Sequence, residues 1–383
     1  MATPFQVPTA DDVRALVNGG RGLRISLYVP VPERPSFDEI RKFPRTYAHA
    51  VEAAQERMRE LGVGAKEVDE AGERLRSLSV DLEDLHPATK GIAAFHGPAG
   101  LHSFALNDGV VQSTRVGVTA HLRPLIASVR REQKYRVISL STKDVELYEG
   151  DARSLRKLGP GDVPTSLEEA LGSELTGESL HGYSSASGGE ALVRHGDGTA
   201  SDARSDDRDR FHRALASALE RAWSGRNDPI VLVADRAHAG RFRKVADRLP
   251  GLLDEGVVGN PRSWSVGELH ERAYGVVRRW LEQRDERAAN EAASAGGQGR
   301  SVADLEPAAE AAVRGLVSRV FVDPRARVAK RVDPTSGELL DPLGDEDALD
   351  DICGWVLARG GTAIVCDCAG LPSGRELLAE LRN

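Results

Sequence analysis

Residues 211–249, FHRALASALERAWSGRNDPIVLVADRAHAGRFRKVADRL, decide the fold class of this chain. Phe211, Leu215 and Leu219 recur on one face of a helix over 211–223, and Pro229–Asp235 (PIVLVAD) is an unbroken apolar run of strand length. Residues 240–249 read as the next helix. An apolar run without polar alternation is a strand covered on both faces, and helices on either side of it predict a layered α/β domain.

Upstream, Tyr135–Ser141 (YRVISLS) and Asp144–Glu149 (DVELYE) read as two strands joined by a short Thr-Lys connection, a hairpin that opens the same domain. Residues 173–210 are rich in Ser, Gly and Asp and hold few large apolar groups, so they are expected to form a long mobile loop. Loops of that length inside a compact domain are functional or disordered, which makes this one the first place to look for activity. Downstream, the pattern Ser265-x-x-Glu268 starts a helix that runs to about residue 294, with Leu269, Ala273, Val276, Val277 and Trp280 as its buried stripe.

The N-terminal stretch gives a strand at 22–31, helices at 45–61 and 66–85, and three extended segments at 91–96, 101–106 and 110–118. The C-terminal stretch gives a helix at 302–315, a strand at 317–323, a turn around Asp333–Gly337, a helix at 345–359, a strand at 362–366 and a last helix at 373–381. That order is a small α/β/α sandwich with Val317, Val320, Val322, Ala363, Ile364 and Val365 on central strands. Three domains are therefore expected, an α/β N-terminal domain over 1–128, a central domain over 129–295 and an α/β/α domain over 296–383.

Composition narrows the function classes. The chain has 383 residues, 40% hydrophobic and 29% charged, and no apolar run approaches the roughly 18 residues of a membrane span. Three cysteines and an N-terminus without a basic head or apolar core point to a reducing cytoplasm. The net charge of -8 removes any global attraction to nucleic acid, so contacts with RNA fall to local patches. Residues 301–383 hold 15 acidic and 9 basic side chains, most of the excess. The 43 Arg against 8 Lys could look like phosphate recognition, but coding bias in a GC-rich genome explains the ratio equally well.

Local motifs for chemistry are sparse. Cys366 and Cys368, with Cys353, lack the further His or Cys that a zinc site needs, and buried free thiols account for them better. No P-loop or dinucleotide-binding glycine pattern follows a strand, and no cofactor or metal is expected. The ten histidines form no nucleophile-base signature, and His270 reads as a core or interfacial residue. Asp144, Glu146 and Asp235 are conceivable ligands for a two-metal nuclease, although carboxylates at strand edges are usually solvated. Two glycine pairs stand out, Gly188-Gly189-Glu190 and Gly296-Gly297-Gln298. For the second, Gly296 capping the preceding helix and Ser301-x-x-Asp304 as a capping box for the next explain the residues as a linker.

Glu255-Gly256-Val257-Val258-Gly259-Asn260-Pro261, followed by Ser265 and Glu268-Leu269-His270-Glu271-Arg272-Ala273-Tyr274, resembles the bacterial branch of the archaeo-eukaryotic class 1 release factor and Pelota superfamily, whose relatives include the hibernation factor Balon. Val145–Gly150, Val313–Val322 and Gly344-Asp345-Glu346-Asp347 extend the resemblance from about residue 23 to the C-terminus. It implies a divergent N-terminal domain, a central domain with an RNase H-like sheet, and a C-terminal domain resembling kink-turn-binding ribosomal proteins. In that superfamily a Gly-Gly-Gln tip sits in a loop of the central domain. Residues 178–210 take its place here, so Gly188, Gly189 and Glu190 are the counterparts by position, and Gly296, Gly297 and Gln298 match by tripeptide alone. A carboxylate at Glu190 would put negative charge where an oxyanion develops during peptidyl-tRNA hydrolysis.

The resemblance thus implies a ribosome-associated factor that occupies a tRNA-like site, in rescue or hibernation, without strong catalysis. A peptidyl-tRNA hydrolase and a non-ribosomal interaction protein are the alternatives. Ribosomal RNA is the implied partner, with a translational GTPase as a further one, and neither membrane nor DNA is expected. Arg325, Arg327, Lys330 and Arg331, concentrated between Asp323 and Asp333, are the candidate RNA-binding residues.

Overall fold

The computed structural model describes residues 5–172 and 197–382, apart from residues 21, 34, 79, 142–143 and 367–370. Two compact units emerge, one from residues 1–132 together with 281–383, the other from residues 133–280.

The N-terminal part of the first unit comprises α1 (Ala10–Asn18), β1 (Arg24–Pro30), α2 (Phe37–Glu60), α3 (Ala65–Arg76), β2 (Gly91–Gly97), β3 (Gly100–Leu106), β4 (Ser113–Gly117) and α4 (Arg123–Arg131). Its strands form an antiparallel sheet in the order β3-β2-β1-β4. Alternation along β1 sends Ile25, Leu27 and Val29 toward α2 and α3, where they meet Phe43, Val51, Met58 and Leu75. Tyr28 points to the opposite face. Helix α2 begins eight residues before the expected 45, because Ser36 and Glu39 close a reciprocal capping box at its start and Pro44 is accommodated in its second turn. Helix α3 ends at Arg76, with a single 3-10 turn at Leu82–Asp84 where the helix was expected to continue.

The second unit contains β5 (Tyr135–Leu140), β6 (Val145–Gly150), β7 (Leu155–Lys157), α5 (Leu167–Leu171), α6 (Asp197–Ala222), β8 (Ile230–Ala234), α7 (Arg236–Val245) and β9 (Val257–Val258). The long helix α8 (Val266–Ser294) contributes its residues up to Trp280 to this unit and the rest to the other. The sheet order is β7-β6-β5-β8-β9. Strands β5 and β6 are the expected antiparallel hairpin, and β8 lies parallel to β5 with every residue buried. Ile138, Leu140, Ile230 and Leu232 face α6 and α7, packing on Phe211, Leu215, Leu219 and Phe242. On the other side, His270 and Tyr274, one turn apart on α8, stack against Tyr135, and His270 bonds the Asp151 carbonyl at 3.0 Å. Residues 197–210, expected in the loop, are helical. The amphipathic segment 211–222 nucleates α6, and extension backward adds one hydrogen bond per residue, supported at Asp209 by Arg241 of α7 at 2.9 Å.

The C-terminal part holds β10 (Ser301–Val302), α9 (Leu305–Val313), β11 (Val317–Val322), β12 (Arg331–Val332), β13 (Leu339–Leu340), α10 (Ala348–Ala358), β14 (Thr362–Val365) and β15 (Leu377–Leu381). Strands β11 and β14 are adjacent and parallel in a sheet of order β10-β15-β11-β14, so the central strands of the sandwich are those expected. Ala289 and Ala292 of α8 cover Phe321, Ile364 and Leu378 on one face, while α9 and α10 cover the other. The final segment is a strand, not a helix. Its Leu377-Leu378-Ala379 is rich in helix formers, but pairing with β11 sends Leu377 and Leu378 to opposite faces and buries both, which outweighs local propensity. The face of the N-terminal sheet that carries Tyr28, Phe95 and Phe104 shares one apolar cluster with α9, α10, β11 and β14, which makes residues 1–132 and 281–383 a single unit.

Candidate functional site

The four candidate cations lie on one excursion of the chain between β11 and α10. A turn at Asp333 shapes its tip, where the carboxylate accepts from the backbone N–H groups of Thr335 and Ser336 at 2.9 and 2.8 Å. Strands β12 and β13 pair behind it. Lys330 Nζ reaches Asp341 at 2.7 Å, and Arg331 Nε donates to the Asp341 carbonyl at 3.1 Å. Arg325 and Arg327 are exposed, with no side-chain ion pair among the described residues. Two cations are thus tied along the hairpin and two face solvent.

What holds this excursion is a run of acids that the sequence places in the most negative part of the chain. Asp345 pairs with Arg57 at 3.0 Å and accepts from the Val116 N–H at 3.1 Å. Glu346 accepts from Val118 N–H at 2.7 Å and from Gly344 N–H at 2.6 Å. Asp347 pairs with Arg123 and Arg115 and accepts from the Val328 N–H, while Arg123 Nη1 donates to the carbonyls of Asp323 and Ala326 at 3.1 and 2.6 Å. Asp350 accepts from the backbone N–H groups of Leu122 and Arg123, both at 3.0 Å, and lies 2.6 Å from His121 Nδ1. Asp351 accepts from Val332 N–H at 2.7 Å. Gly344 sits so close to the Val116 carbonyl that a Cβ would be 2.3 Å from the oxygen, so only glycine fits there.

Glu346, Asp347, Asp350 and Asp351 are each at most 4% exposed. Burial pushes the Asp350 carboxyl up, but the charges and hydrogen bonds of His121 and Arg123 outweigh it and hold the group well below the usual carboxylate range. Burial pushes Asp351 up to about 7, with the Asp350 and Glu346 charges adding to the rise. Because these acids turn inward, solvent around Arg325 and Arg327 is less negative than the 15 acids of residues 301–383 suggest. Nothing local announces the partners at 115–123. A signal does exist in α10, whose sequence ALDDICGWVLA is apolar on nearly all sides, so that Asp350 and Asp351 within it have to be buried and therefore paired.

The remaining candidates are dispersed. Ala295–Gln298 forms a 3-10 turn at the end of α8, closed by Gly299 at φ +69°. Ser301 starts β10 and donates to the Ala292 carbonyl at 2.7 Å, and α9 begins after Asp304, so the expected capping box from Ser301 does not form. Gly188, Gly189 and Glu190 lie outside the described residues, as do Asp367 and Cys368. Asp144 pairs with Arg262, Glu146 accepts from Lys157 and Tyr148, and Asp235 caps α7 through His238 N–H at 2.9 Å, so all three carboxylates have structural partners. Among the described residues no group of three or more His, Cys, Asp or Glu is arranged to hold a metal, and Cys353 and Cys366 are buried. No helix among them is long and apolar enough to cross a membrane.

Residues 134–315 match the family described as Bacterial archaeo-eukaryotic release factor family 3. Among solved structures, the chain is similar to an archaeal translation termination factor, at 14% identity over 98% of this chain and 99% of that one, with a TM-score of 0.25. It is also similar to Pelota of Archaeoglobus fulgidus, at 12% identity over 76% and 79% of the two chains and a TM-score of 0.39. A third similarity is to ribosome-bound archaeal Pelota, at 12% identity over 99% and 95% with a TM-score of 0.39. No curated protein matches the chain in sequence.

Proposed function

We propose, from the match of residues 134–315 to Bacterial archaeo-eukaryotic release factor family 3, that this protein is a translation factor that binds the ribosome. In this reading it occupies a tRNA-like site, in rescue or hibernation, without strong catalysis, and its chain is organised as domains 1–128, 129–295 and 296–383. The family match carries the reading. Support comes from Arg325 and Arg327, two solvent-facing cations on an excursion pinned at its base by Arg123 and Asp347, where a phosphate backbone can be met without ordering the chain first. A translational GTPase is the further partner this reading would add.

Co-sedimentation with ribosomes from growing and starved cells tests the reading, and absence of the protein from the ribosomal fraction in both would sink it. The double variant Arg325→Glu, Arg327→Glu is expected to bind ribosomes roughly tenfold more weakly, with a salt slope shallower by about two, one for each phosphate contact removed. An unchanged slope would remove these two residues from the interface.

The alternative, a peptidyl-tRNA hydrolase, draws on the tripeptide Gly296-Gly297-Gln298. Its backbone forms a turn between α8 and β10, closed by Gly299 in the left-handed region. Gln298→Ala is therefore expected to leave any hydrolysis of a peptidyl-tRNA ester unchanged. A hundredfold drop in turnover would instead make this turn the active tip.

A further inference from the structure

Helix α7 presents a bare cationic face. Arg236, Ala237, Gly240 and Lys244 are all exposed, at positions 236, 240 and 244 that follow one another a turn apart along the helix. Phe242 is fully buried on the opposite side. Arg241 and Arg243 are engaged inward, with Asp209 at 2.9 Å and with the Leu253 carbonyl at 2.7 Å. Arg236 and Lys244 have no ion pair among the described residues, and Arg208 of α6, also exposed, lies close enough to His238 in the first turn of α7 to oppose its protonation. Residues 236–248 hold five Arg or Lys and a single acid, Asp247, in a chain whose net charge is -8.

Gly240 is the informative residue. Glycine is a poor helix former, and an interior helical glycine is usually kept because something packs where its Cβ would be. At Gly72 of α3 that is so, with the Gln55 side-chain amide occupying the Cβ position. At Gly240 nothing lies within 4 Å and the φ is not positive, so neither packing nor backbone conformation accounts for it. The helix gives up stability at this point with no return inside the chain.

We propose that the face Arg236-Ala237-Gly240-Lys244 of α7 is a docking surface for an RNA sugar-phosphate backbone, with Arg236 and Lys244 on phosphates and Gly240 leaving room for the strand between them. Eight residues of helix separate the two cations by about 12 Å along the axis, which suits phosphates about two nucleotides apart on one strand. The choice of RNA over other polyanions rests on the ribosomal reading above.

The test uses the full chain. Ribosomes, naked ribosomal RNA and vesicles of anionic phospholipid are each titrated with the wild type, with Gly240→Ala, and with Arg236→Glu, Lys244→Glu. The expected result separates stability from binding. Gly240→Ala raises the Tm by about 2 °C, as removal of a helical glycine should, yet weakens ribosome and RNA binding several-fold. The double reversal weakens both by roughly tenfold or more and flattens the salt slope by about two. If the wild type binds and both variants match it, the face is not an RNA contact while the ribosomal reading stands. If the wild type binds neither ribosomes nor RNA, both fall. Loss confined to vesicles would overturn RNA in favour of a membrane surface.

Discussion

Asp350→Ala is expected to destabilise the unit built from residues 1–132 and 281–383 by about 3–5 kcal/mol, the usual result of removing one partner from a buried charge network. The carboxylate accepts from two backbone N–H groups and faces His121 and Arg123, all from the N-terminal part of the unit. Without it, Arg123 keeps only Asp347 as an anionic partner among the described residues, and the N–H groups of Leu122 and Arg123 lose their acceptor in a dry setting. Urea denaturation followed by fluorescence measures the loss, and a change below 1 kcal/mol would show that the network does not join the two parts. The pH dependence has a definite sign. The folded-state pKa of Asp350 is depressed, so the contribution is fully present above about pH 4, the ordinary range of an unfolded aspartate, and drains away as the pH falls toward the folded-state value.

Asp351→Asn is expected to act in the opposite direction. Here burial raises the folded-state pKa to about 7, against about 3.9 in the unfolded chain. A raised acid favours folding in its protonated form, so wild-type stability declines as the pH rises from about 4 to 7 and levels off above that. Asparagine keeps an acceptor for the Val332 N–H without ever ionising. The variant should match the wild type near pH 4 and exceed it by about 2–4 kcal/mol at pH 8. Parallel stability curves for the two proteins across that interval would contradict the assignment.

These two aspartates also show where sequence reading stops. They are adjacent and chemically identical, and their opposite behaviour comes from their surroundings: His121 and Arg123, more than two hundred residues away in sequence, hold Asp350 down, whereas burial lifts Asp351. The Gly344-Asp345-Glu346-Asp347 pattern was visible, but not that it reaches Val116 and Val118. By contrast β8 was legible because burial on both faces leaves an apolar run, and the β5–β6 hairpin because a short connection fixes its pairing. Strand β15 was not, since Leu377-Leu378-Ala379-Glu380-Leu381 favours a helix until β11 is beside it. Of the candidate site, the sequence located four cations, and only the structure separated Arg325 and Arg327 from Lys330 and Arg331, which Asp341 engages.

The shared apolar cluster has a consequence for biosynthesis. Residues 1–132 leave the ribosome with Tyr28, Phe95 and Phe104 on a sheet face that α1 and α4 cover in part and whose remaining cover lies beyond residue 300. At ordinary elongation rates of about 5–20 residues per second that face waits on the order of tens of seconds while the intervening polypeptide is made. The segment 133–280, contiguous and with its own sheet, has all its strands before that cover exists. Vectorial synthesis therefore inverts the order of the chain: the middle has all its parts before the N-terminal sheet has its full cover.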